Sequence, residues 1–184
     1  MGPTLEMQAA GDRTRVLVIE PNRNYLGVIA RRLGEFGYRV ATADSAQGGI
    51  AEMYRMPVNL VLCEANLPGT NGIELARMIR DDPVHADLPF LLIVGRSDRA
   101  ASVRAFHTGV DGLVRKPCHF EVLGAAIARL IQRSDALKRL AEDNAALDAK
   151  VISRVIELRE TREQLRAVEG ERRRLEAIVE GRAA

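Results

Sequence analysis

Cysteine is scarce in this chain: Cys63 and Cys118 are the only two among 184 residues, and neither sits in a Cys-x-x-Cys or other metal-ligand pattern. That excludes a disulfide-stapled secreted framework and points to a reducing cytoplasm. Cys63 is expected to fill a strand core, and Cys118 to carry no redox role for want of a neighbouring base or metal. Histidine is equally sparse; His85, His107 and His119 lie in separate regions, so no zinc site is expected. No apolar run approaches the length needed to cross a bilayer, and MGPTLEMQAAGDRT at the start has neither the long apolar core nor the basic opening of a signal peptide. Net charge is only +2, and the triplet Arg172, Arg173, Arg174 lies in a Glu-rich stretch, where it reads as a solvated helix face. These absences predict a soluble, cytoplasmic protein with no membrane partner and no nucleic-acid partner.

What is present alternates. RVLVI (15–19) is a short apolar strand; a helix follows from about Tyr25 to Phe36 on Leu26, Ile29, Ala30 and Leu33, and GYRVATA supplies a second strand. Ser45 to Met53 is helical. VNLVLC (58–63) is uniformly apolar, as a central strand covered on both faces must be. Further helices are expected over Glu74–Arg80, Ala100–Thr108 and from about Phe120, with strands at 87–95 and 112–115. Strands alternating with helices predict an α/β fold: a five-stranded parallel sheet, flavodoxin-like, with helices on both faces in three layers. In such a sheet, chemistry gathers at the C-terminal strand ends.

Beyond Leu130 the pattern changes. Proline is absent from there to Ala184, and Ala, Leu, Glu and Arg dominate, which favours continuous helix. With Leu137 at heptad position a, the a and d positions fall on Leu137, Leu140, Asn144, Leu147, Val151, Arg154, Leu158, Thr161, Leu165, Val168, Arg172, Leu175 and Val179. Most are apolar, which predicts a coiled-coil dimer seam. Asn144 at an a position can pair with its mate across a parallel dimer; Arg154 and Thr161 interrupt the seam, implying loose packing or a phase change there. A parallel homodimer is expected, with an antiparallel bundle or a helix folded back on its own domain as alternatives. The expected organisation is a flexible leader at 1–13, an α/β domain at 14–132 and a coiled-coil signalling helix at 133–184 that continues the last helix of the domain.

Four places should meet at the strand ends: Glu20, Glu64, the pair Val94 and Gly95, and Lys116. The segments VLVIEPN, NLVLCEANLPGTNG, LPFLLIVG and GVDGLVRKP, in this order, resemble the receiver domain of two-component response regulators over roughly residues 14–132. That resemblance implies a regulatory module rather than an enzyme, acting in signal transduction. Family members accept a phosphoryl group on an aspartate, with two acidic residues to hold a divalent cation, a Ser or Thr to bind a phosphoryl oxygen, and a lysine to pair with it. Carried over, the lysine is Lys116, and the Lys116-Pro117 bond resembles the family's cis peptide. Glu64 occupies the acceptor position, Pro21 one of the two acidic positions beside Glu20, Val94 the hydroxyl position, and Leu113 the place of a switching aromatic.

The departures together remove nucleophile geometry, metal affinity and phosphoryl recognition. They imply a pseudo-receiver with a degenerate pocket of Glu20, Pro21, Glu64, Val94, Gly95 and Lys116, requiring no metal and no cofactor. Glu64 and Lys116 could form a charge-assisted bond in place of the phosphoryl contact; the alternative is a solvated Glu64 with Lys116 as a mere neighbour. The tail resembles linkers that join receivers to output modules. The expected partner is therefore a signalling protein or output domain, the chain being either part of a larger protein or complete. The competing functional readings are a structural or localisation adaptor and a phosphoacceptor receiver with an atypical pocket.

Overall fold

A computed structural model describes residues 14–95, 103–105 and 107–182. Five strands, β1 (Arg15–Ile19), β2 (Arg39–Ala43), β3 (Leu60–Glu64), β4 (Phe90–Val94) and β5 (Gly112–Arg115), form one sheet in the order β2-β1-β3-β4-β5. Every neighbouring pair is parallel, with Ile19 opposite Cys63 and Glu64 opposite Ile93. The strands therefore end together, and the residues just after them share one edge.

Four helices are described in full: α1 (Arg23–Glu35), α2 (Ala46–Arg55), α3 (Gly72–Asp81) and α4 (Phe120–Arg182). The helix expected over Ala100–Thr108 falls largely outside the described residues. Each of the first three starts on a side-chain cap. Asn22 accepts from the Asn24 and Tyr25 amides, Ser45 from Gly48, and Asn71 forms a reciprocal capping box with Glu74. α1 therefore begins two residues earlier than its apolar periodicity suggests, because Asn22 rather than the first Leu sets its start.

All residues of β3 and β4 are buried, which is why their sequences run apolar without alternation. One face of the sheet packs Leu17, Ile19, Val61, Leu92 and Val94 against Leu75, Ala76 and Ile79 of α3 and Met53 of α2. The other packs Val16, Val18, Leu62, Leu91 and Ile93 against Ile29 and Leu33 of α1 and Leu123 and Ile127 of α4. Each fully buried Leu or Ile contributes roughly 1.5–3 kcal/mol of transfer free energy, so the sheet is held from both sides.

Two approaches are close enough to fix residue choice. A Cβ at Gly72 would lie 2.5 Å from the Glu64 carbonyl oxygen, so only glycine lets α3 start directly against the end of β3. Arg80 gathers the loops at the far end of the sheet. Its guanidinium donates to the carbonyls of Ala86, Leu88 and Gly109 at 2.8, 2.8 and 2.9 Å and to Asp111 Oδ2 at 2.6 Å.

The chain divides into two compact units between Ala136 and Leu137. The second unit is helix, about 70 Å long over its described residues at 1.5 Å per residue. No helix among the described residues is long and apolar enough to cross a membrane.

Candidate functional site: a lysine held by two buried glutamates

Glu20 leaves β1 with its amide bonded to the Ala43 carbonyl at 3.0 Å, which fixes its backbone at the sheet edge. Its Oε1 accepts the Asn22 amide at 3.0 Å, and its Oε2 accepts the Lys116 ammonium at 2.9 Å. Glu64 closes β3. Its Oε1 accepts the Asn66 amide at 3.3 Å, and its Oε2 is in direct ionic contact with Lys116 Nζ. The Lys116 amide is tied to the Val94 carbonyl at 2.9 Å, which fixes its backbone beside the end of β4. The Lys116-Pro117 peptide is cis.

Glu20 and Glu64 are the two buried polar or charged residues of the described chain, at 3% and 5% exposure. A buried carboxylate is tolerated only when charge and hydrogen bonds compensate it. One ammonium serves both here, leaving the cluster one negative charge in excess. Desolvation pulls the Lys116 pKa down, but hydrogen bonds and charge from Glu64 and then Glu20 outweigh it, and the group lies above its ordinary value. The ammonium is thus the committed form. The solvent-facing alternative for Glu64 does not hold, because its side chain lies inside the sheet edge and meets Lys116 directly.

Tyr25 completes the cluster. Its ring lies 4.4 Å from Lys116 Nζ, within reach of a cation–π contact. Burial raises the phenol's pKa, and Cys118 beside it adds to the rise. The lysine is therefore flanked by two carboxylates and an aromatic face. Val94 is fully buried and presents only methyls; Gly95 and Pro21 are half-buried and offer no side-chain oxygen; Leu113 packs half-buried against the core. Cys63 is buried, and that burial, with Glu64 and Glu20 nearby, pushes its thiol well above the ordinary range, which leaves it inert.

The divalent cation that receivers use does not fit these residues. Pro21 supplies no ligand, and both carboxylates that could serve already hold Lys116. Among the described residues no group of three or more His, Cys, Asp or Glu is placed to hold a metal. The sequence pointed to Glu20, Glu64 and Lys116 as neighbours, and the fold brings them together. It missed Tyr25, while the EPNRN segment after β1 was expected to turn and cap the next helix, as Asn22 does. The one signal for Tyr25 was position: it falls in the first turn of the helix that follows Glu20.

The tail residues at the heptad a and d positions, Leu137, Leu140, Leu147, Val151, Leu158, Leu165, Val168, Leu175 and Val179, are all exposed in the single chain. Its polar residues pair along the helix instead: Arg154 with Glu157 at 2.7 Å, Arg159 with Glu163 at 3.2 Å and Arg172 with Glu176 at 3.4 Å.

Comparison with known proteins agrees with this fold. The transcriptional regulatory protein AfsQ1 of Streptomyces coelicolor is 31% identical over 139 residues, covering 76% of this chain and 59% of that protein. An uncharacterized 76.5 kDa protein of Thiocystis violacea is 32% identical over 115 residues, 62% of this chain and 17% of its own length. The chain thus spans well under two thirds of these relatives. Among solved structures, a response regulator receiver domain protein of Clostridium thermocellum superposes with a TM-score of 0.64 at 24% identity, covering 67% of this chain and 98% of that one. A Rhodopirellula baltica protein described as an adenylate cyclase gives 0.65 at 23% identity, covering 72% and 96%. At such identities the structural matches establish the fold alone. The response regulator receiver domain family, regulatory rather than catalytic, matches residues 16–128, and the chain belongs to it.

Proposed function

We propose that the chain is a receiver domain that does not take a phosphoryl group, and that its tail pairs in parallel with that of a second copy to transmit a signal to, or scaffold, an output or partner protein. One observation carries the first half. Lys116, the cation that would meet a phosphoryl group, is already held by Glu64 at the acceptor position and by Glu20. The carboxylate of Glu64 supplies, permanently, the negative charge that phosphorylation would supply transiently. Val94 offers no hydroxyl to a phosphoryl oxygen, and Pro21 removes a cation ligand, so the arrangement favours a fixed state over a chemical cycle.

The second half is supported by the tail's unburied stripe. A long helix draws most of its stability from packing of its apolar face, and none of the tail's a and d leucines and valines is covered within the chain. A second copy of the same helix provides the matching surface, and Asn144 at position a sets a parallel register. The proposed limits are a leader at 1–13, the receiver at 14–132 and the coiled-coil helix at 133–184, a boundary four residues ahead of the division at Ala136.

The test is incubation with a small-molecule phosphodonor and Mg2+, read by intact-mass spectrometry. No phosphoryl adduct is expected on the wild type. A stable adduct that Glu64→Gln abolishes would overturn the reading. A Glu64→Gln variant that keeps its fold but changes dimerisation or partner affinity supports a signalling pair; unchanged partner binding, lost only on breaking the tail seam, favours the adaptor.

A further inference from the structure

The tail's seam is not uniform. From Leu137 to Leu147 the large apolar residues fall on positions a and d, and so do Leu165, Val168, Leu175 and Val179, with Arg172 at a and Ile178 at g as departures there; between Val151 and Leu158 position d is Arg154, while three apolar residues lie off the seam together, Val155 at e, Ile152 at b and Ile156 at f. Ile152, Val155 and Ile156 are all exposed in the single chain. In a parallel dimer, layer d would face Arg154 with its own copy, placing like charges in a desolvated seam. Arg154 already has a partner on its own helix, Glu157 at 2.7 Å, with its side chain turned to solvent.

We propose that residues 151–158 of the paired tails pack through positions a and e, with Val155 in the core and Arg154 at its edge. With two turns in seven residues, neighbouring positions are about 103° apart, so the a/e seam is rotated by about 50° from the a/d seam on either side. The rotation carries Ile152 from the outer face to the flank of the interface, the place a position-e side chain holds in an a/d coil. It leaves only Ile156 outside. The seam returns to a/d at Leu165 through a layer where Thr161 and Arg162 offer no apolar group to either register. Thr161 needs no partner there, since its hydroxyl donates to the Glu157 carbonyl at 2.8 Å.

The segment consequently offsets the phase of the paired helices by about 50° relative to a continuous a/d coil while every helical hydrogen bond is kept.

The inference rests on the parallel-dimer reading, and single cysteines separate the two. On the full chain carrying Cys118→Ser, the substitutions Leu147→Cys, Arg154→Cys, Val155→Cys and Leu165→Cys are oxidised mildly and disulfide-linked dimer is followed over time. Positions 147, 155 and 165 are expected to link several-fold faster than 154. Absence of linkage at both 147 and 165 would sink the dimer itself. Linkage there with 154 as fast as 155 or faster would overturn only the rotated seam. A measurement free of cysteine gives the same decision: by sedimentation equilibrium, Val155→Ala should weaken dimerisation as Leu147→Ala does, and Arg154→Ala should not. The reverse order refutes the proposal.

Discussion

The receiver and its tail handle unfavourable surface in opposite ways. In the receiver, even the two buried carboxylates find partners inside the chain: Glu20 and Glu64 each bond a backbone amide and share Lys116. In the tail, the apolar residues at the a and d positions stay open, and Leu137, Leu140 and Leu147 are each 57% exposed. On the function proposed above, a domain that satisfies its own charges holds its state without a ligand, and a helix that leaves its leucines open pairs with another helix. The contrast would then divide the labour between a fixed input and a surface that works in company.

The sharpest way to break the contrast is to spoil the tail alone. Leu147→Asp with Leu158→Asp puts like charges into a and d layers, and should abolish dimerisation across the micromolar range by sedimentation velocity. Thermal unfolding of the receiver should stay where it was. A receiver that melts lower in step would mean that its stability depends on the paired tail, and the division would fail.

A smaller effect is expected from the receiver's own pairing. Lys116→Ala leaves two buried carboxylates without a cation and should cost roughly 2–3 kcal/mol at neutral pH by urea unfolding, the lysine being partly solvated. The wild type has a matching pH signature. Because the folded pKa of Lys116 is raised above its ordinary 10.5, its contribution is complete below that value and is lost as pH rises through the folded pKa. Urea midpoints of wild type and variant should therefore converge at strongly alkaline pH. Equal midpoints at pH 7 would mean that the pair contributes nothing to the fold. Next in size is Gly72→Ala, expected to cost about 1–3 kcal/mol through collision with the Glu64 carbonyl and the Ala65 backbone.

Much of this was legible from residue order, for physical reasons that differ by element. β3 and β4 could be read because strands buried on both faces must be apolar throughout; the helix expected from Glu74 starts two residues earlier, at Gly72, because Asn71 and Glu74 form a capping box that fixes its first turn. Glu64 and Lys116 could be paired because parallel strands end at one edge. The engagement of Glu20 with Lys116 is harder to see, since the two lie 96 positions apart and nothing local marks an acid as a lysine's second partner. Arg80 gave no warning either: a lone arginine on a helix looks solvated, and only folded loops reveal four acceptors around it. Strand limits shifted by one to three residues: β3 ends one residue later than expected because Glu64 continues the ladder despite its charge, and β4 starts three later, at Phe90.

The mildest perturbation lies on the receiver's surface, at a cluster that sequence spacing alone did not identify. Tyr54 donates to Asp82 Oδ2 at 2.7 Å, and His85 Nδ1 meets the same oxygen at 2.6 Å, with the two rings edge-to-face at 4.9 Å. The His85 bond first, then the Tyr54 bond, hold the Asp82 carboxyl at about 2, below its ordinary 3.8. A depressed carboxyl contributes above the ordinary value and is lost as pH falls through about 2. His85→Ala removes the larger cause, so the Asp82 carboxyl should titrate closer to its ordinary value by NMR, while unfolding at neutral pH changes little because the pair is partly open to solvent and Asp82 keeps its Tyr54 and Val84 bonds. An unmoved Asp82 titration would place the burden on Tyr54 and the Val84 amide instead. A large loss of stability at neutral pH would show that this surface cluster, like the Lys116 pocket, is part of what holds the receiver closed on itself.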